Sequence, residues 1–218
     1  MLSDSPPERD LEWSDSGAAG ASRFLQRLWK LIADGADGIP HPGTEHPGGD
    51  VSEAVAELRA ATHRTIAKVT EDIERLRFNV AVAKLYEFTN QVADAPKTLD
   101  NSALAGWARR EALEALTQLV APMMPHMAEE AWALLGHTTP LTETPWPTFD
   151  PELAAEQTVT VGVQVNGKLR GTLHIPPGLD EAEVRELALA QDRVQLAIEG
   201  REIRKVIVVP DRIVNVVV

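Results

Sequence analysis

Apolar residues recur at spacings of three and four between residues 21 and 136, and at a spacing of two from residue 159 onward. The first period predicts helices and the second predicts strands. Phe24, Leu28, Leu31 and Ile32 predict a first helix from about Ala21 to Ile32, with Leu25 and Trp29 widening its apolar face and Gly35 as its stop. Residues 1–20 predict an extended, turn-rich lead-in. Pro6 and Pro7 cannot sit inside a helix, and Gly17 and Gly20 interrupt any helix in the second half of this stretch. Residues 35–50 hold five glycines, three prolines and two histidines, the composition of an exposed, mobile loop.

Asp50 or Ser52 can cap a second helix through Val51, Val55, Leu58, Thr62, Ile66, Val69 and Ile73. A tight turn at Leu76–Asn79, with Asn79 as N-cap, leads to a third helix through Val80, Ala83, Tyr86 and Val92. Leu104, Trp107, Leu113, Leu116 and Val120 predict a fourth. Pro125 opens a fifth at a position where proline is tolerated, and Gly136 closes it. Residues 21–136 therefore predict an antiparallel helical bundle. Residues 137–157, with four prolines, predict a linker. Val159, Val161, Val163 and Val165 then alternate up to Asn166-Gly167, a strong hairpin signal, and the return strand carries Leu169, Gly171, Leu173 and Ile175. Two short helices, about 180–190 and 193–199, precede strands at 203–209 and 212–218. The fold class is α+β: a helical bundle followed by a small ββααββ domain over residues 158–218.

Charge changes this picture more than composition does. The chain is 44% hydrophobic and 25% charged, the balance of an ordinary globular protein, and without cysteine it can have no disulfide or cysteine-based site. No window approaches the roughly 18 apolar residues of a membrane span, and the acidic start is not a secretory signal. The net charge of −12 argues against a nucleic-acid binder, because phosphates need Lys and Arg. Its distribution argues otherwise. From Ala155 onward there are eight basic and nine acidic residues, net −1, leaving −11 to residues 1–154.

Four stretches carry a resemblance. They are Leu2-Ser-Asp-Ser-Pro-Pro-Glu-Arg-Asp-Leu-Glu-Trp13 with Asp15-Ser-Gly17; Lys68-Val-Thr-Glu-Asp-Ile-Glu-Arg-Leu-Arg-Phe-Asn79; Ala121-Pro-Met-Met-Pro-His-Met-Ala-Glu-Glu-Ala-Trp132; and Val163-Gln-Val-Asn-Gly-Lys-Leu-Arg-Gly171. Together they resemble the C-terminal third of bacterial leucyl-tRNA synthetases. The third is shared among class I synthetases for several aliphatic amino acids, while the first and fourth are specific to the leucyl branch. The family's ATP-handling motifs, His-Ile-Gly-His and Lys-Met-Ser-Lys-Ser, occur nowhere in the chain. The resemblance thus implies residues 1–20 as the end of a linker from a catalytic domain, 21–136 as an anticodon-binding domain and 158–218 as a tRNA-binding C-terminal domain. It implies a cytoplasmic monomer, away from membranes, with leucine-accepting tRNA and the catalytic portion of a synthetase as partners. Leucine, ATP and tRNA would become leucyl-tRNA, AMP and pyrophosphate elsewhere in the enzyme. ATP and magnesium belong to that catalytic domain, and this chain is expected to hold no cofactor, no metal and no catalytic residue.

The candidate tRNA-binding residues are cations. Lys168 and Arg170 follow the hairpin turn two apart and so are expected on one side of the return strand. Arg204 and Lys205 on a later strand would complete a patch with them. Arg23, Arg27 and Lys30 form a stripe on the first helix, which a merely solvated face explains equally well. His126 and the Met123, Met124 and Met127 cluster read as structure, and His41 and His46 lack a third metal ligand nearby. A rival reading of the whole is a non-enzymatic, acidic helical module that binds another protein.

Overall fold

The computed structural model describes residues 8–10, 12–155 and 159–218. Eight α-helices and four strands fall into two compact units, Met1–Ala155 and Glu156–Val218. No described helix is long and apolar enough to cross a membrane.

In the helical unit, α1 runs Asp15–Ala36, six residues earlier than the apolar pattern predicts. Ser14 caps it, its hydroxyl accepting from Gly17 N–H at 3.2 Å, and Asp15 sits where the helix dipole favours a carboxylate. Gly17 and Gly20 therefore do not break the chain. Each costs roughly 1 kcal/mol of helix propensity against alanine, which the cap and the neighbouring Ala18, Ala19 and Ala21 offset. Residues 1–7 and Leu11, also part of the expected lead-in, lie outside the described residues. Gly35 is no stop either. It is buried inside α1, and a Cβ there would lie 2.9 Å from Leu113 Cδ1.

Helix α2 (Glu53–Glu74) starts at the Ser52 cap as its sequence predicts. Leu76 turns the chain with φ +57. Asn79 does not cap α3 (Phe78–Asp94): it lies inside it, and the N-cap position is Arg77, with no side-chain cap bond. Arg77 is fixed instead to buried Asp72, which accepts from its guanidinium at 2.7 Å and, through its backbone carbonyl, from its N–H at 2.7 Å. Helices α4 (Ala103–Val120) and α5 (Pro125–Leu134) follow, α5 ending at Gly136 with φ +95. Leu28, Ile32, Val69, Leu85, Phe88, Leu113, Leu116 and Leu119 form one fully enclosed core.

The loop 35–50 is exposed but pinned. The Pro40 carbonyl accepts from Arg110, and the Thr44 carbonyl accepts from Trp107 Nε1 at 3.0 Å. His46 stands edge-on to the Trp107 ring at 4.8 Å. Nor are residues 137–155 a free linker. They strap the helical unit: Leu141 enters the core, and the Glu129 carboxylate accepts from Leu141 and Thr142 N–H at 2.8 and 2.9 Å. The Pro145 carbonyl accepts from Gln118 at 3.2 Å, and Trp146 Nε1 donates to Thr70 Oγ1 at 2.8 Å. The short α6 (Pro151–Ala154) packs on α2.

In the sheet unit, β1 (Val159–Val165) and β2 (Lys168–Ile175) form the hairpin around Asn166 and Gly167, both at positive φ. Helices α7 (Glu181–Leu189) and α8 (Asp192–Ile198) precede β3 (Lys205–Val209) and β4 (Ile213–Val217). The sheet order is β2-β1-β4-β3, with β1 and β4 parallel and the other pairs antiparallel. Val161, Val163, Val165, Val214 and Val216 face the helices and pack with Val184, Ala188, Val194 and Ile198.

Candidate nucleic-acid interface

Where a cation already has a carboxylate, an incoming phosphate must compete for it. In the helical unit most cations have one: Lys30 with Asp34, Arg59 with Glu111, Arg75 with Glu71, Arg77 with Asp72, Lys84 with Glu87, Lys97 with Asp94 and Arg110 with Glu114. In the sheet unit the pattern inverts. Among the described residues, only Arg201 of its eight cations has an ion-pair partner, Glu199 at 3.7 Å. Lys168, Arg170, Arg204 and Lys205 are all exposed.

These four do not form the compact patch that their spacing suggests. Lys168 lies opposite Val165, Val165 beside Val216, and Val216 opposite Val206, so one cross-strand row joins both edges of the sheet. Lys205 sits one position from that row, and Arg204 N–H donates to the Val217 carbonyl. Both pairs thus stand at one end of the sheet but on opposite edges, three strand spacings or about 14 Å apart. Lys205 opposes Val217, on the face away from the helices, whereas Lys168 opposes Val165, on the helix face.

Arg170 also departs from simple alternation. Val163 pairs with Gly171 and Gln164 with Leu169, which leaves Arg170 as the extra residue of a β-bulge. The two-apart argument for Lys168 and Arg170 therefore fails at that residue. Arg170 instead lines an open hollow of about 550 Å³ with Gly171, Thr172, Gln191, Asp192 and Arg193. Within it, Gln191 Nε2 donates to the Thr172 carbonyl at 2.7 Å. Arg193 escapes a reading of the sequence alone, because it meets Arg170 only where α8 packs on β2, at the bulge. The one signal for it was Gly171 inside a strand, where a bulge is a common reason for glycine.

On α1, Arg23, Arg27 and Lys30 are exposed along one stripe. Lys30 is bonded to Asp34 at 2.6 Å, one turn beyond the stripe. The Arg27 guanidinium lies 5.6 Å from the Phe24 ring, which stacks on Tyr86 at 3.7 Å. Two of the three cations are thus engaged within the unit, and Arg23 alone among them has no ion-pair or ring partner among the described residues. No cluster of three metal-ligating side chains occurs among the described residues, His41 and His46 included.

The family described as the anticodon-binding domain of tRNA ligase matches residues 56–186. Leucine–tRNA ligase of Rhodospirillum centenum is 49% identical over 226 residues, and that of Parvibaculum lavamentivorans 50% over 219. Both alignments cover all of this chain but only 26% and 25% of the relative, so the chain spans about a quarter of the length of these proteins. Among solved structures, the ternary complex of Agrobacterium radiobacter K84 agnB2 LeuRS with tRNA and LeuAMS matches 99% of this chain and 28% of its own. The TM-score is 0.77 and the identity 30%.

Proposed function

Since the chain belongs to the family of anticodon-binding domains of tRNA ligases and matches leucine–tRNA ligases along its whole length, we propose that it is their C-terminal, tRNA-positioning part. Its helical unit is the antiparallel anticodon-binding bundle of that reading, and its sheet unit the small ββααββ domain. Identity near 50% over the full chain is the observation that carries it. Attachment of leucine to tRNA, with ATP and magnesium, belongs to the catalytic portion, which is the second partner, and the setting is the cytoplasm.

The contribution of these 218 residues is to hold the tRNA by shape and backbone, a mode suited to helical RNA. Lys168, Arg170, Arg204 and Lys205, all without an ion-pair partner among the described residues, supply the phosphate contacts. Arg193 joins Arg170 at the hollow, and Arg23 adds a contact on α1, where Arg27 and Lys30 contribute less. A gel-shift titration with leucine-accepting tRNA at low and moderate salt tests the proposal. A shift that weakens with salt is expected. No shift at any salt, together with capture of a protein partner, would favour the acidic interaction module instead.

A further inference from the structure

We infer that His63 is a positioning residue: it latches the strap 141–154 to α2 and so fixes the point from which the sheet unit is tethered. The geometry of one buried imidazole carries this. Among the described residues, His63 Nδ1 accepts from the backbone N–H of Asp150 at 2.9 Å, 87 residues away in the chain. A backbone N–H only donates, so Nδ1 carries no proton and the ring's proton sits on Nε2. That nitrogen faces Glu111 Oε1 at 3.2 Å. Burial pushes the Glu111 carboxyl up, but bonds from His63 and Arg59 outweigh it and hold its pKa below the ordinary glutamate value. Arg59 in turn lies over the Trp107 ring at 5.1 Å. The ring is therefore oriented from one side by a charged, braced acceptor and reads the strap from the other.

The bond matters because of where it falls. Helix α6 ends at Ala154 and β1 begins at Val159, so four residues separate the last seated element of one unit from the first of the other. Upstream of Asp150, the next side-chain anchor is Trp146 on Thr70. If α6 leaves α2 with the latch, the stretch between seated elements grows from residues 155–158 to as many as residues 147–158, a threefold change. Effective concentration falls roughly as the −3/2 power of tether length, so a tRNA held by both units should bind up to about fivefold more weakly. That consequence rests on the function proposed above; the latch itself does not.

Two isosteric variants separate the two sides of the ring. His63→Gln can still donate toward Glu111 but offers Asp150 no acceptor. His63→Asn places an amide oxygen near the Nδ1 position and keeps the Asp150 bond. In the full chain, His63→Gln should speed hydrogen exchange at the Asp150 amide about tenfold or more and weaken tRNA binding, with circular dichroism unchanged. His63→Asn should match the parent in all of these. Inserting about eight Gly/Ser residues after Ala155 in the parent should reproduce the loss in tRNA binding while leaving Asp150 exchange slow. Unchanged Asp150 exchange in His63→Gln, or equal defects in the two variants, overturns the latch. Unchanged tRNA affinity in His63→Gln despite fast exchange overturns its positioning role. If the parent binds no tRNA at all, the proposed function falls, and the latch is decided by Asp150 exchange.

Discussion

Arg110 is the residue on which the glycine-rich loop and the end of α5 converge. Its side chain is 8% exposed. It donates to the Pro40 carbonyl, to the Leu135 carbonyl at 3.0 Å and to Glu114 at 2.6 Å, and Glu114 also meets His137 at 2.8 Å. Arg110→Met should cost about 2–4 kcal/mol in urea unfolding, because it leaves two carbonyls without their donor and the half-buried Glu114 carboxylate with His137 alone. Lysine should rescue little, since a point charge cannot reproduce the planar fork. A loss under about 1 kcal/mol would show that water replaces the guanidinium. Glu129 works on the strap in the same spirit. Backbone N–H groups of Leu141 and Thr142 lower its pKa from the ordinary 4.5. A depressed carboxyl stabilises the fold above its ordinary pKa and loses that contribution as pH falls through the folded value. The stability gap between the parent and Glu129→Gln should therefore be widest near neutrality and shrink below about pH 4.5. A gap independent of pH would mean that the charge is not what holds the strap.

At the scale of elements, the start of α1 shows propensity outweighed by a cap. Apolar spacing begins only at Phe24, so periodicity places the helix too late, although Ser14 and Asp15 were an N-terminal signal in plain sight. Ser14→Ala should cost about 1 kcal/mol of local stability and quicken amide exchange in the first turns of α1. Exchange indistinguishable from the parent would mean that packing of Phe24 and Leu28 alone sets the boundary. The hairpin was more legible, because positive φ at Asn166 and Gly167 is a demand that few residue pairs meet. The bulge at Arg170 was not, since one extra residue in a strand leaves the apolar alternation of its partner intact.

For the whole molecule, the charge census decides the order of importance of the RNA contacts. A double Lys168→Ala, Arg170→Ala variant should bind tRNA more weakly and lower the salt slope by about 1.8, at about 0.9 per phosphate contact, with unchanged circular dichroism. Affinity in the parent should be micromolar or weaker at physiological salt, because so few cations face so large a negative charge. If the pair has no effect while neutralising Arg23, Arg27 and Lys30 does, the contact lies on α1. The 218 residues hold neither ATP-handling motif, so leucine-dependent ATP–pyrophosphate exchange by this chain alone should be absent. Exchange that survives repurification would contradict the assignment of chemistry to another portion of the enzyme.

Periodicity, caps and turn residues, all local, determined seven of the eight α-helices, the four strands, the α+β class and most boundaries, because each depends on neighbours within a few positions; α6 fell in the stretch expected to be a linker. The four stretches at residues 2–17, 68–79, 121–132 and 163–171 likewise carried the family resemblance without any knowledge of contacts. Tertiary structure alone decided the rest. It turned a proline-rich stretch into a strap and a glycine-rich loop into a pinned one, because Arg110, Trp107, Glu129 and His63 reach them across 12 to 87 residues of sequence. It also sent two pairs of cations to opposite edges of one sheet. Strand order and register are set by what the apolar faces bury together, and the spacing of charges along the chain has no hold on either.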